Sequence, residues 1–563
     1  MNAQTVPAPS TTGEPEGLKE TLESLVIALI LAFVFRAFIV EAFVIPTGSM
    51  APTLYGAHGT IRCENCGFEF AYGVKDPDDP RRSYRVVREG ARAVCPNCNY
   101  PNGALPVTDE RRNAQRGDRI LVLKWPLDLG AAALEPHRWQ VTVFKDPSDG
   151  KTNFIKRLVG LPNEVLMIVD GDVFTVPLAE LSDKTRAELD RIRHEKYLLR
   201  TGKMRGVLRS PPPFVMAELE KKMRIPRKTP AAQQSLWFVV YDHDYLPRNR
   251  GPRQPAWLPA QGNASGWDAS HRRVRFEDRG LQNDFIALMG KDIGAFCAYN
   301  IYQRRYAPVA DLRVRFVLTP HTSTGTLRIR LEKRRRVFWA VIGMDGTVRL
   351  VESTQVPRDN DPPMAEAHID PFVPGKPVAV SFENVDYRLA IRIGDREVLA
   401  SSSDPQSPAY YGPNLTDLRR VASGRTEPPR IYGEGGSWDL VHLVVERDEY
   451  YYHDPAQRAL RLSWAPPGGW ASPHHPILLR EHEYFMLGDN TTASKDSRLW
   501  DEVGPHLVSR GEDFQLGTVP RDQLIGEAFF VYWPAGHRLT WLPIAGLNQW
   551  GLIPDVGRMR WIR

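Results

Sequence analysis

Three groups of residues in this sequence have the type and spacing to do chemistry: one serine, one lysine and four cysteines. Ser49 stands in FVIPTGSMAPTL, residues 43–54, where Pro46 ends a short apolar run and Gly48 favours a turn. A serine hydroxyl becomes a useful nucleophile only when a neighbouring base removes its proton. Most serines in such turns are only turn residues, so Ser49 predicts catalysis only if the chain also supplies a base.

Lys156 is the candidate base. If residues 153–159, NFIKRLV, form a strand, then Phe154, Lys156 and Leu158 share one face and Arg157 lies on the other. Burial between apolar side chains lowers the pKa of a lysine because desolvation penalises the charged form, and only the neutral amine can accept a proton. The alternative is an ordinary solvated lysine on the surface of a strand.

Five segments, in order, resemble those of bacterial type I signal peptidases. The segment around Ser49 resembles their nucleophile motif, and residues 153–164 resemble their lysine motif, with Asn163 where glycine is usual. Residues 488–500, GDNTTASKDSRLW, resemble their Gly-Asp-Asn box. The remaining two, which resemble core strands of the family, are residues 116–122 and residues 517–534.

The resemblance implies a Ser–Lys dyad in which Ser49 is the nucleophile and Lys156 is the general base. Ser494 would hydrogen-bond the lysine amine and orient it. The oxyanion hole would combine the backbone N–H of Ser49 with the hydroxyl of Thr47. Threonine replaces the usual serine there, which keeps the hydroxyl donor but restricts its χ1 angle.

The resemblance also implies supporting positions around the dyad. Asp496 and Arg498 match an ion-pair position of the family and would hold the loop of the Gly-Asp-Asn box. Phe43, Ile45 and Leu54 would line shallow pockets for the small residues of an Ala-x-Ala cleavage site. Ordinary core packing is the alternative interpretation of these three apolar residues.

The cysteines are the third group. Cys63, Cys66, Cys95 and Cys98 form two Cys-x-x-Cys pairs, each followed by Gly or Asn and by aromatic residues. This pattern resembles a zinc ribbon, and four thiolates give a closed tetrahedral site with no open position for catalysis. The alternative is two disulfides, which an oxidising compartment would favour. We therefore predict structural zinc and no cofactor for catalysis, and we expect Cys297 to be a buried hydrophobe.

One apolar stretch indicates a membrane. Residues 25–35, LVIALILAFVF, extend to spanning length only if the stretch continues past Arg36 and Glu41 to residue 45. A cleaved signal peptide is the alternative, but the preceding residues are acidic rather than basic. The sequence therefore predicts a disordered tail over residues 1–17 and a transmembrane anchor over residues 18–42.

The predicted fold class is mainly β. A signal peptidase-type β core would be assembled from residues 43–60, 105–202 and 449–563, with a zinc-ribbon insert at 61–104 and a second insert at 203–448. Alternating runs such as residues 378–382, with Asp-Gly and Gly-Asp turns between such runs, indicate a two-sheet sandwich. The sandwich has a weaker resemblance to concanavalin-type jelly rolls, which often bind sugars. The basic run 333–336 reads as a solvated loop.

Composition limits the partners. A mean hydropathy of −0.37 excludes a multispanning membrane protein, and a net charge of +6 does not indicate nucleic acid. We expect a serine endopeptidase, anchored in the cell (cytoplasmic) membrane with its catalytic part on the outer side, that removes signal peptides from exported preproteins. The alternative is a catalytically idle, membrane-tethered protein that binds glycans through the sandwich.

Overall fold

The computed structural model describes most of the chain. The described residues are 16–74, 92–104, 117–124, 135–249, 251, 254–301, 307–420, 424, 426–453, 461–534 and 554–563. Residues 1–15 of the predicted tail, 1–17, lie outside the described residues. Residues 16 and 17 belong to the first helix, Glu16–Phe38, so the predicted tail is two residues too long.

Helices are few and short in the described residues, apart from the first two. They are α1 Glu16–Phe38, α2 Asp183–Arg200, α3 Pro213–Lys222, α4 Pro230–Ser235, α5 Leu415–Arg420 and α6 Pro505–Val508. The sequence predicted a two-sheet sandwich over residues 203–448, and helices α3, α4 and α5 within these residues were not part of that prediction. Proline at the first turn starts both α3 and α4, and α3 buries Val215 and Leu219, which are four residues apart, on one face.

Strands form most of the remaining ordered structure. Before α2 lie β1 Val40–Val44, β2 His58–Arg62, β3 Glu69–Gly73, β4 Arg92–Val94, β5 Pro101–Ala104, β6 Arg119–Lys124, β7 Val141–Lys145, β8 Asn153–Gly160, β9 Glu164–Val169 and β10 Asp172–Pro177. After α4 lie β11 Phe238–Asp242, β12 Ala256–Pro259, β13 Trp267–Asp268, β14 Val274–Glu277, β15 Asp284–Met289, β16 Leu312–Pro320, β17 Thr326–Lys333, β18 Arg336–Gly343, β19 Thr347–Glu352, β20 Ala365–His368, β21 Val378–Val385, β22 Arg388–Ile393, β23 Arg396–Ala400, β24 Arg430–Glu434 and β25 Ser437–Arg447. The last are β26 Ile477–Leu479, β27 Glu483–Leu487, β28 Val519–Pro520, β29 Leu524–Trp533 and β30 Arg560–Trp561.

The first sheet joins both ends of the chain. Its strands run in the order β1-β6-β29-β7-β8-β27-β28, with β30 on β29, and their pairings are antiparallel. A short second sheet has the order β10-β9-β26. Because β27, β28 and β29 come after the large insert, the first sheet closes only when the two ends of the chain meet.

The predicted sandwich region contains two large sheets. One has the order β13-β14-β25-β16-β21-β22-β23, with β11 on β25, and the other has the order β12-β15-β24-β17-β18-β19-β20. Their buried side chains form one hydrophobic core, as in two sheets packed face to face. Gly346 and Gly394 have positive φ angles in the β18–β19 and β22–β23 hairpin turns, where the sequence predicted turns.

Helix α1 presents its apolar side chains outward. Phe33 is 66% exposed and Leu31 is 62% exposed. Among the helices that the structure describes, none reaches the combination of length and apolarity that a membrane crossing requires. The transmembrane anchor predicted over residues 18–42 is therefore not confirmed.

Buried charges join the large insert to strands β9 and β10. Lys333, which is 4% exposed, pairs with Asp311 and lies 3.2 Å from Asp172 at the start of β10. Arg334 pairs with Asp170 in the turn between β9 and β10. The prediction of a solvated loop was wrong for these two basic residues because the β17–β18 turn places them against acidic side chains.

Candidate active site

Ser49 lies in a single turn that follows the edge strand β1. Pro46 ends the strand, Thr47 has an extended backbone, and Gly48–Met50 form a 3-10 turn. Met50 is fully buried and fixes the turn in the core, whereas Ser49 remains half-buried. The buried Met50 therefore anchors the turn, and the Ser49 hydroxyl lies near the surface.

Lys156 reaches this hydroxyl from strand β8. Its Nζ atom lies 2.7 Å from Ser49 Oγ and donates to the carbonyl oxygen of Ile155 at 2.8 Å. The residue is only 4% exposed, and the Phe154 ring centroid is 5.4 Å from Nζ. The structure thus places the serine and the lysine of the predicted dyad in direct contact, with the amine out of water.

A shared core holds the turn against the strand. Ile45, Met50 and Leu54, from the nucleophile segment, pack in one hydrophobic cluster with Val143 of β7 and Ile155 of β8. The predicted alternation is only partly seen in β8, because its residues from Ile155 onward are all buried, on both faces. The contact between the two site residues is therefore set by packing on either side of it.

The Gly-Asp-Asn box closes the site from a third direction. The side chain of Asn490 donates to the carbonyl oxygen of Gly48 at 2.9 Å, and its backbone N–H donates to the carbonyl oxygen of Ser49 at 3.1 Å. A Cβ atom on Gly488 would lie 2.2 Å from Ser494 Oγ and 2.6 Å from the Ser49 carbonyl oxygen. Only glycine fits at residue 488, because the Gly48–Met50 turn and Ser494 meet there.

Ser494 lies close to the dyad without the predicted hydrogen bond. Its Oγ atom is buried and has no hydrogen-bond partner in the described part of the chain. The bond from Ser494 to the Lys156 amine is therefore not seen, and the orienting role of Ser494 stays a prediction.

Asp496 and Arg498 form a buried ion pair within the box. Arg498 donates to both carboxylate oxygens of Asp496, at 2.9 and 2.7 Å, and also to the carbonyl oxygens of Tyr452 and Thr491. Burial would raise the pKa of Asp496, but the Arg498 guanidinium outweighs it and holds that pKa below its usual value. The Asp496 carboxylate also accepts from the backbone N–H of Gly488 at 3.0 Å, so the pair fixes the loop.

A second buried ion pair was missed by the sequence analysis. Arg157, on the opposite face of β8 from Lys156, donates to both oxygens of Asp489 at 2.8 and 2.6 Å, and neither side chain is exposed. The alternation placed Arg157 on the face away from Lys156 but did not show that this face is buried, where an arginine needs a carboxylate partner. The box supplies that partner next to Asn490.

The remaining predicted residues lie around the turn. Thr47 precedes the turn, and its side chain makes no capping hydrogen bond, so its hydroxyl stays a predicted oxyanion donor. Ile45 and Leu54 are 2% and 0% exposed, which favours the core-packing interpretation for both. Phe43 is half-buried on β1, and its pocket role stays a prediction.

The four cysteines converge on one point. Cys63 and Cys98 have their Sγ atoms 3.5 Å apart, and those of Cys66 and Cys95 are 3.7 Å apart. All four Sγ atoms lie within 4.8 Å of one another and none forms a disulfide, an arrangement compatible with a structural metal ion. Cys297 lies outside this group and is half-buried, so the prediction of a buried hydrophobe is confirmed only in part.

Two segments of the chain match a known family, described as Signal peptidase, peptidase S26, over residues 18–79 and 449–533. Over these two segments the chain is similar to signal peptidases. The matched segments include Ser49 and Ser494 but not Lys156. The assignment of Lys156 to the same site therefore depends on its contact with Ser49.

Individual proteins that are similar to this chain are also signal peptidases. Signal peptidase I of Pseudomonas fluorescens is 30% identical over 141 residues, which are 24% of this chain and 44% of that protein. Signal peptidase I of Rickettsia typhi is 27% identical over 158 residues, 28% of this chain and 43% of that protein. The chain spans less than half the length of these curated relatives.

Solved structures also resemble part of this chain, and the match covers nearly the whole of each solved chain. A carbohydrate-binding module of Bacillus subtilis is 12% identical with a TM-score of 0.21, covering 33% of this chain and 97% of that chain. A Caenorhabditis elegans galectin is 15% identical with a TM-score of 0.17, covering 31% and 94%. At these TM-scores the likeness carries no argument about function.

The Asp496–Arg498 pair gives a stability prediction. Asp496→Asn keeps the shape of the side chain but leaves the Arg498 charge buried and uncompensated, so we expect the free energy of unfolding to fall by about 3–5 kcal/mol. Because the folded-state pKa of Asp496 is lowered, this contribution is present above the unfolded pKa of about 3.9 and is lost as the pH falls through the folded value. Urea unfolding at pH 7 and at lower pH measures both effects.

Asp183→Asn is the matched control for that experiment. Asp183 also pairs with an arginine, but its side chain is 93% exposed, so a small change is expected. Equal unfolding curves for Asp496→Asn and Asp183→Asn at pH 7 would contradict a structural role for the buried pair.

Proposed function

We propose that this protein is a serine endopeptidase that removes signal peptides from exported preproteins, with Ser49 as the nucleophile and Lys156 as the general base. The observation that carries the proposal is the 2.7 Å contact between Lys156 Nζ and Ser49 Oγ, inside a chain that matches signal peptidases on both sides of its large insert. Both residues of the proposed dyad are present and in contact, which argues against the catalytically idle alternative.

The first step is attack on the scissile carbonyl. Lys156, as a neutral amine, takes the proton of Ser49 Oγ while that oxygen bonds to the carbonyl carbon of the substrate. Burial favours the neutral form of Lys156, and the half-buried Ser49 remains within reach of a peptide. The resulting oxyanion would be bound by the backbone N–H of Ser49 and the hydroxyl of Thr47.

The second step releases the two products. The C–N bond breaks, and the Lys156 ammonium gives its proton to the departing amine, which leaves an acyl ester on Ser49. Water then attacks this ester, Lys156 removes the water proton, and the carboxylate product leaves as Ser49 regains its hydrogen. One residue with a single proton to move can therefore serve both halves of the reaction.

The edge strand β1 is the proposed docking line for the substrate. Among the described strands β1 pairs only with β6, and its last residue, Val44, is 55% exposed just before the nucleophile turn. An extended peptide can add to such an edge through backbone hydrogen bonds, with alternate side chains entering pockets. Phe43 would line one of these pockets and favour a small residue at the cleavage site.

Helix α1 is the proposed membrane attachment. Its exposed apolar side chains form a hydrophobic surface, which is unfavourable in contact with water. These side chains are Leu22, Leu25, Val26, Ile27, Leu29, Ile30, Leu31, Phe33, Val34 and Phe38. Because α1 leads almost directly into β1, attachment to the cell membrane would hold the active site near the bilayer surface. Because the proposed substrates are exported preproteins, the active site would lie on the outer side of the membrane.

The cysteine group is the proposed structural zinc site. Four sulfurs at about 2.3 Å from a zinc ion lie about 3.8 Å from one another, close to the observed separations and far from the length of a disulfide. Gly67 and Asn99, at positive φ, follow the second cysteine of each pair, so the two turns have matching shapes. Zinc would tie the β2–β3 hairpin to the β4–β5 hairpin and has no part in catalysis.

Replacement of the nucleophile tests the proposed reaction. We expect Ser49→Ala to abolish cleavage of a preprotein after a small residue, because no hydroxyl remains at the dyad, while folding is unchanged. Cleavage is followed by mass spectrometry of the products, with Ser403→Ala on an exposed loop as the matched control. Cleavage by Ser49→Ala at the wild-type rate would refute Ser49 as nucleophile.

Metal analysis tests the cysteine site. Purified without reductant, the protein should contain one zinc ion per chain, and Cys98→Ser should lose it. Cys297 is the one cysteine of the sequence outside the group of four, so Cys297→Ser is the control and this variant should retain the zinc ion. Absence of zinc together with two disulfides in the intact protein would rule out the site.

A further inference from the structure

A loop from the large insert reaches the nucleophile turn. We call residues 297–301, between β15 and β16, the insert loop. Tyr299 in this loop lies directly on Gly48, because a Cβ atom on Gly48 would be 1.9 Å from the tyrosine ring. The Tyr299 hydroxyl donates to the carbonyl oxygen of Ala57 at 2.6 Å, and its ring stacks on that of Tyr55. The residue next to the nucleophile is therefore covered by a side chain from far along the sequence.

Asn300 extends this contact to the Gly-Asp-Asn box. Its side chain and that of Asn490 exchange hydrogen bonds, at 2.6 and 2.9 Å, and Asn300 also donates to Thr492 Oγ1 at 3.0 Å. Asn490 in turn holds the carbonyl oxygens of Gly48 and Ser49. A continuous path of hydrogen bonds thus connects the insert loop to the backbone of the nucleophile.

The β2–β3 and β4–β5 hairpins, which carry the four cysteines and together form the cysteine module, also contact the insert loop. Ala298 and Ile301 pack in the hydrophobic cluster that contains Cys63, Cys95 and Cys98. The backbone N–H of Gly73, at the end of β3, donates to the Tyr299 carbonyl oxygen at 2.9 Å.

The same module is fastened to the sandwich. Asn97 donates to the carbonyl oxygens of Asp242 and Tyr245, and Lys291 donates to Asn99 Oδ1 at 2.8 Å. The insert loop is thus fixed by the cysteine module and the sandwich, and its residues Tyr299 and Asn300 contact the site.

We propose that Tyr299 and Asn300 are positioning residues of the active site. They hold the Gly48–Met50 turn and Asn490 in the one arrangement that keeps Ser49 Oγ at Lys156 Nζ. The large insert is then a working part of the catalyst and not only an attached binding module. This inference rests on the proposed function, because it concerns the rate of the same dyad.

The role predicts a specific kinetic signature. The insert loop contacts the nucleophile turn from the side of Gly48, whereas the proposed substrate line is β1. Loss of Asn300 should therefore misplace Ser49 without removing substrate contacts. A misplacement of about 1 Å at a reacting atom can lower the rate about 100-fold.

The experiment uses the full-length protein and a preprotein substrate, with kcat and KM measured separately. We expect Asn300→Ala to lower kcat by about 10- to 100-fold with KM changed less than about twofold. Asn490→Ala should lower kcat similarly, and the double variant should be no slower than the slower single variant, because the two amides act through each other. Asn263→Ala, in the exposed turn Gly262–Ala264, is the control and should match the wild type.

Folding is followed in the same samples through thermal unfolding and zinc content, both of which we expect to be unchanged in Asn300→Ala. A wild-type kcat in Asn300→Ala would overturn the proposal, as would multiplicative losses in the double variant or a loss of rate that only follows a loss of folded protein. If the wild type itself does not cleave the preprotein, the proposed function fails and the inference fails with it. That outcome is distinct from a fast wild type with an equally fast Asn300→Ala.

Discussion

The contact of 2.7 Å between Lys156 Nζ and Ser49 Oγ is the interaction on which the rest of the site depends. If the two residues act as the proposed dyad, they impose two opposing requirements. The amine must be kept from water, because only a neutral lysine can accept a proton, yet the hydroxyl must face a substrate. The structure meets both by placing the lysine inside a strand, at 4% exposure, and the serine on a turn at the end of an edge strand.

Two buried ion pairs keep this arrangement rigid. Arg157–Asp489 ties the lysine strand to the Gly-Asp-Asn box, and Arg498–Asp496 closes the box on itself. Buried ion pairs add little net stability compared with apolar side chains, but they strongly penalise any arrangement that separates the partners. They therefore specify one geometry for β8 and the box, while the hydrophobic cluster around Met50 specifies the turn.

The residues that could be predicted from the sequence are those whose chemistry is visible in a short segment. Ser49, Lys156 and the four cysteines stand in local motifs, and the structure brings each group together. Tyr299, Asn300 and the Asp489 partner of Arg157 could not be predicted, because their roles arise from contacts across hundreds of residues. Lys333 was misread for the same reason: a basic run is indistinguishable from a solvated turn until its acidic neighbours are known.

The fold shows the same division. Alternating strands and their glycine turns in residues 327–393 were predictable from period and turn residues. The order of strands in the first sheet, which interleaves both ends of the chain, was not. Helices α3 and α4 were missed although proline and a threonine cap mark the start of α4, because the surrounding strand pattern dominated the interpretation.

The most direct test of the dyad is the pH dependence of kcat/KM for the wild type and for Lys156→Arg, with Lys495→Arg as a control at an exposed lysine of the same box. If Lys156 is the base, the wild-type kcat/KM rises with pH as the amine loses its proton, and Lys495→Arg follows the same curve. Lys156→Arg should be inactive at every pH, because a guanidinium keeps its proton in a protein. An active Lys156→Arg enzyme would show that another group removes the Ser49 proton and would contradict the Ser–Lys dyad.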